Sequence, residues 1–154
     1  YVRYHHDVVG VNSRLDSVQA SVLDIKLKYL DFYNESRKAA ALKYNQRLAD
    51  HSSLITPFRK GDCDSHVYHQ YTLRVIDGDR DALVNHLNEK DIPCGVYYPI
   101  PLHLQKAYTN DSYKADDFKV TLQLIKEVIS LPMHTELADD QIDFITDTIK
   151  KFLG

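Results

Sequence analysis

From Arg14 to Leu48 the chain contains neither glycine nor proline, the two residues that most readily end a helix. Leu15, Val18, Val22 and Ile25 recur at three- and four-residue steps, so they share one helical face. Leu30, Tyr33, Arg37, Ala40, Tyr44 and Leu48 repeat the pattern, and Ala39, Ala40, Ala41 and Leu42 add good helix formers. The spacing predicts a helix over 14–28 and a second from about 30 to 48, either one long bent helix or two that abut. The small alanines imply close packing against another element.

Upstream, Gly10 tolerates backbone angles that other residues resist, and Asn12 and Ser13 are both N-cap types. Asn12 and Arg14 are therefore expected where the chain enters a helix. Unpaired N–H groups collect there and favour anions, although most such entries are ordinary caps and spacing alone favours that reading.

Beyond the helices, residues 54–58 read as a short extended segment broken by Pro57. Val67, His69, Tyr71, Leu73 and Val75 alternate with Tyr68, Gln70, Thr72 and Arg74, which predicts a strand over 66–75. On that register Tyr68, Gln70 and Arg74 face one side, while His69 and Tyr71 face the core or a cleft. Asp77–Asp79 is expected to cap a helix through Lys90 with Leu83, Val84 and Leu87 inward. A short strand over 92–98 would be stopped by Pro99 and Pro101, and 102–115 reads as irregular loop. Helices are predicted over 116–129 and over 138–152, the last with Ile142, Ile145, Ile149 and Phe152 as its apolar stripe. Antiparallel strands among helices give an α+β domain.

The 154 residues suit one domain, with residues 1–50 forming an extended segment and long helices and 51–154 a small α+β unit. A net charge of −3 without a lysine or arginine cluster gives no footprint for nucleic acid. No apolar run approaches the roughly 20 residues of a membrane span. Cys63 and Cys94 lack C-x-x-C spacing and read as two buried thiols in a reducing compartment. The eight histidines show no zinc spacing, so no metal site is expected. Nucleotide-binding glycine loops and nucleophile-elbow motifs are absent. Between Tyr97 and Gln105, two prolines fix a loop carrying Tyr97, Tyr98, His103 and Gln105. Phenol, imidazole and amide groups on rigid backbone suit a polar ligand such as a sugar or nucleotide; core or interface tyrosines are the competing reading. The only methionine is Met133, so a chain opening at Tyr1 reads as starting in mid-protein.

Four ordered stretches carry a resemblance: G-V-N-S-R-L-D-S-V-Q-A (10–20), H-V-Y-H-Q-Y-T-L-R-V (66–75), Y-Y-P-I-P-L-H-L-Q (97–105) and L-P-M-H (131–134). Together they resemble the C-terminal part of the DegT/DnrJ/EryC1/StrS family of pyridoxal-phosphate-dependent sugar aminotransferases. The resemblance implies the small C-terminal domain of a type I pyridoxal-phosphate transferase fold, in a cytoplasmic homodimer whose active sites lie between subunits. It implies transfer of an amino group, typically from glutamate, to a nucleotide-linked keto-sugar for polysaccharides or secondary metabolites. Asn12 matches the family asparagine that reaches the cofactor phosphate of the other subunit, and residues 1–50 then serve interdomain and dimer contacts. Arg14 matches the arginine near the nucleotide-sugar phosphates, and Tyr97, Tyr98 and His103 fall on the substrate-side loop. Several relatives carry histidine where this chain has Tyr97.

The catalytic lysine belongs to the large N-terminal domain of such enzymes, and Lys26, Lys28 and Lys43 do not match it. The chain alone is therefore expected to be inactive. Two alternatives stand beside this reading: a relative that replaces the lysine and works as a dehydratase or deoxygenating enzyme, and a non-catalytic α+β binding module.

Overall fold

The computed structural model describes residues 3–61, 65–110 and 112–154; Cys63 lies outside them. Element order is α1 (Ser17–Leu27), α2 (Leu30–Leu48), β1 (Leu54–Ile55), β2 (Tyr71–Val75), α3 (Arg80–Glu89), α4 (Lys119–Glu127), β3 (Val128–Leu131) and α5 (Asp139–Leu153). The strands form an antiparallel sheet in the order β1-β2-β3. Leu54 pairs with Val75, Leu73 with Ile129 and Tyr71 with Leu131. This is the α+β architecture that the alternation and periodicity imply.

The core lies between the sheet and helices α2, α3 and α5. Ala40, Ala41, Tyr44 and Leu48 bury one face of α2, and Ile142, Ile145 and Ile149 bury one face of α5. The small alanines allow these helices to approach, and the Lys43–Asp139 and Arg47–Asp143 ion pairs flank the contact. Tyr44 stacks on Tyr71 with ring centroids 4.7 Å apart. Each buried phenol finds an acceptor: Tyr44 donates to the Pro132 carbonyl at 3.0 Å and Tyr71 to Asn45 Oδ1 at 2.6 Å. Burial holds both hydroxyls protonated far above the ordinary tyrosine range.

Helices α1 and α2 abut through Lys28 and Tyr29. Val18, Val22 and Ile25 of α1 do share a face, yet none of the described residues covers it. Leu15, Val18, Val22, Leu23, Ile25 and Leu27 are each at least half exposed, and α1 buries no residue.

Several elements differ from the sequence expectation. Helix α1 begins at Ser17, capped by Asp16, whose carboxylate accepts the Gln19 N–H at 2.8 Å. Asn12 and Ser13 are therefore not its caps; Asp16 satisfies one of the orphan donors with a carboxylate, which suits the positive end of the helix.

The strand expected over 66–75 survives only as β2. Tyr68 has φ 48°, a left-handed conformation that interrupts extended backbone. Alternation resets there, so Tyr68 is buried while Val67 and His69 are exposed. The strand expected over 92–98 reduces to a single bridge, Gly95 to Ser130, because Pro93 has no N–H to give.

The helix expected to reach Ile129 stops at Glu127, and Val128–Leu131 becomes β3. Ladder bonds to β2 outweigh continuation of a helix through two β-branched residues. Cys94 is half-buried rather than buried, and burial still pushes its thiol pKa up.

Candidate functional site

The loop after the Gly95 bridge is fixed from both ends. Pro101 is buried and leads into a 3-10 turn at Leu102–Leu104, followed by another at Lys106–Tyr108. Between the turns sits Gln105, whose side chain is 6% exposed. Its amide nitrogen donates to the Tyr4 carbonyl at 2.8 Å, and its Oε1 accepts the His6 N–H at 3.1 Å. Ala107 N–H then donates to the His6 carbonyl at 2.9 Å. Gln105, expected among the ligand-facing groups, is thus consumed in holding the N-terminal segment against the loop.

That strap brings Tyr4 edge-on to Tyr97 and Tyr98, at 6.2 Å and 5.7 Å between ring centroids. Tyr4 was invisible to motif reading, since its link to the loop runs through backbone atoms. Tyr97 is 37% exposed and Tyr98 67%. Tyr97 lines a cleft of about 390 Å³ with Gly95, Ser130, Met133, His134 and His69. His69 therefore faces a cleft, as its register suggested, but from exposed backbone rather than from the strand.

His103 lines a different cavity, of about 370 Å³, with Tyr108, Tyr113 and Phe118. Its Nε2 lies 3.2 Å from the Ala115 carbonyl and its ring 4.6 Å from that of Phe118. The tautomer that donates from Nε2 leaves Nδ1 as an acceptor. Tyr97 and His103 thus share a loop but not a cavity.

Asn12 and Arg14 are exposed on the segment before α1, and no contact among the described residues joins them to Tyr97, Tyr98 or His103. The Asp16 carboxylate occupies the α1 terminus, so an anion there would meet a like charge. What the segment offers instead is an amide and a guanidinium without protein partners among the described residues. A groove of about 920 Å³, lined mainly by Leu23, Leu27, Leu30, Tyr33, Arg37 and Val67, runs beneath α1. Arg37 borders it while donating to the His69 carbonyl at 3.2 Å.

The donor set fits one edge of a phosphate site. Asn12 and Arg14 can hydrogen-bond an anion presented to them, and their exposure leaves both free to reach outward. They do not enclose one. Lys43 is engaged by Asp139, and neither Lys26 nor Lys28 lies in the Tyr97 cleft. Among the described residues no three His, Cys, Asp or Glu side chains cluster as metal ligands, and no helix is long and apolar enough to cross a membrane.

Comparison with known proteins completes the picture. The DegT/DnrJ/EryC1/StrS aminotransferase family profile matches residues 1–150. A pleiotropic regulatory protein of Geobacillus stearothermophilus is 38% identical over 97% of the chain. The UDP-N-acetyl-3-dehydro-alpha-D-glucosamine 3-aminotransferase of Acidithiobacillus ferrooxidans is 37% identical over 97%. The chain spans about 40% of the length of each of these relatives. Among solved structures, S. venezuelae DesV in complex with a ketimine intermediate superposes with a TM-score of 0.83 at 32% identity, covering 99% of this chain and 40% of that one. The small antiparallel sheet and its helices are thus the fold of part of an aminotransferase, and the chain belongs to the DegT/DnrJ/EryC1/StrS aminotransferase family.

Proposed function

We propose that the chain is the C-terminal domain of a pyridoxal-phosphate-dependent sugar aminotransferase, a cytoplasmic homodimer that moves an amino group from glutamate to a nucleotide-linked keto-sugar. The observation that carries this reading is the aminotransferase family match over residues 1–150, and the exposed donors Asn12 and Arg14 on the segment before α1 fit it. On this reading residues 1–50 form the interdomain and dimer-contact segment, and the uncovered apolar face of α1 is their contact surface. The remaining residues form the small domain.

Pyridoxal phosphate, when bound, supplies the electron sink that lets an amino group exchange with a carbonyl oxygen. Asn12 holds its phosphate from across the subunit boundary with a charge-assisted hydrogen bond. Arg14 grips the phosphates of the nucleotide-sugar with its planar fork. Tyr97 and Tyr98 present phenols and ring faces to the sugar, and His103 offers Nδ1 from the neighbouring cavity. The reacting lysine belongs to the rest of the protein, so these 154 residues alone turn nothing over.

The test is Arg14→Lys in the full-length protein, with the two half-reactions followed separately by absorbance. Glutamate should load the cofactor at the normal rate. Return of nitrogen to the keto-sugar should slow roughly ten- to a hundredfold, the equivalent of about 1.5–3 kcal/mol for a hydrogen bond to a charged group. Equal slowing of both halves with a lowered melting temperature would make Arg14 a structural residue instead.

A further inference from the structure

We infer that Gly95 is a positioning residue, present because it leaves room for the Tyr97 ring to lie flat against the backbone and so keeps the cleft open to the keto-sugar. The inference rests on the substrate-side reading of Tyr97 given above and adds the residue that sets its orientation.

A Cβ placed on Gly95 would lie 2.7 Å from Cε2, Cζ and the hydroxyl oxygen of Tyr97, well inside van der Waals contact. Gly95 is not among the glycines with positive φ, which are Gly61, Gly78 and Gly154. Its backbone is therefore one that alanine could adopt, and the need for glycine comes from the close approach alone.

Relief by backbone movement is blocked. Gly95 N–H donates to the Ser130 carbonyl at 3.0 Å, and Ser130 N–H donates back to the Gly95 carbonyl at 2.7 Å. Ser130 is itself buried in β3 and pairs with Thr72 across the sheet. Gly95 thus rides on the sheet edge as a fixed floor, and only the Tyr97 side chain can give way.

Two rings limit where it goes. Tyr4 and Tyr98 stand edge-on to Tyr97 at 6.2 Å and 6.1 Å. A methyl group at Gly95 would push the phenol off the floor and into the cleft that Gly95 and Tyr97 line with Ser130, Met133 and His134. The ring would change from a wall of the cleft to a plug.

The experiment compares Gly95→Ala, Tyr97→Ala and the double variant in the full-length protein. Each is assayed for the KM of the keto-sugar, for the glutamate half-reaction and for melting temperature. Gly95→Ala should raise the sugar KM roughly ten- to a hundredfold, the upper figure being the cost of a misplacement of about an ångström, with the glutamate half-reaction unchanged. In the double variant the added methyl should have no further effect on KM or melting temperature, since the ring it displaces is gone.

An impaired Tyr97→Ala beside a silent Gly95→Ala overturns the inference alone. So does a double variant in which the two effects add, or one that melts as low as an unstable Gly95→Ala, because the conflict then lies elsewhere. A silent Tyr97→Ala overturns the substrate-side reading of the loop and the inference with it.

Discussion

Tyr71 shows how much one hydroxyl can hold in this core. Its ring is fully buried on Tyr44, and its proton goes to Asn45 Oδ1 at 2.6 Å. Tyr71→Phe keeps the stack and strands the amide oxygen of a half-buried asparagine. The cost should be about 1–2 kcal/mol, or a fall of roughly 2–8 °C in melting temperature for a chain of this size. Differential scanning calorimetry checks it. At the same scale, Tyr71 was legible as an inward residue because it sits in true extended backbone. Tyr68 was misassigned because its own left-handed backbone breaks the extended run, whereas His69 does border a cleft, though outside the strand. Period-two reasoning cannot detect such a break when the residue responsible is an aromatic rather than glycine.

Among the elements, α3 was read almost to the residue, since both ends carry local signals. Asp79 accepts the Ala82 N–H at 2.9 Å. At the other end Asp91 takes φ 57° while its N–H and that of Ile92 return to the Asn88 and Leu87 carbonyls. With Ile92 packed near Leu87, this is a Schellman closure built on aspartate instead of glycine. Asp91→Gly should therefore stabilise the protein by about 0.5–1 kcal/mol, read as a rightward shift of the urea midpoint with unchanged slope. A leftward shift would mean that the Asp91 side chain makes a contribution larger than its backbone strain. By contrast, the first half of β3, Val128 and Ile129, was read as the end of a helix because V-I-S-L is too short to show a period, and only the partner strand decides its state. The Tyr97–Gln105 loop was legible as a rigid polar presentation, but not the removal of Gln105 from it. That role depends on Tyr4 and His6, which no local pattern links to position 105.

At the scale of the molecule, two carboxylates fasten separate parts together. Glu127 is held below its ordinary range by hydrogen bonds from Gln123 within α4 and from Arg74, and the second ties α4 to β2. Asp139 is likewise lowered by its hydrogen bond from Lys43, which ties α5 to α2. Both titrate lower folded than unfolded, so their stabilisation is complete above the unfolded carboxylate range. It is lost as pH falls through the folded values. Melting temperature should hold steady from neutrality to about pH 5 and then drop. Glu127→Gln with Asp139→Asn should flatten that acid limb, and an unchanged limb would assign acid sensitivity to other groups.

The Gln105 strap has a further consequence, in the order of folding. Its two hydrogen bonds join residues 99 and 101 positions apart. Closing so long a loop costs entropy that grows with the logarithm of its length, and a few half-buried hydrogen bonds return little before the core exists. Residues 3–10 therefore dock last, after the sheet and α5 have closed. Although this segment precedes every element of the sheet in sequence, the edge of the site that carries Tyr4 is the last to be assembled.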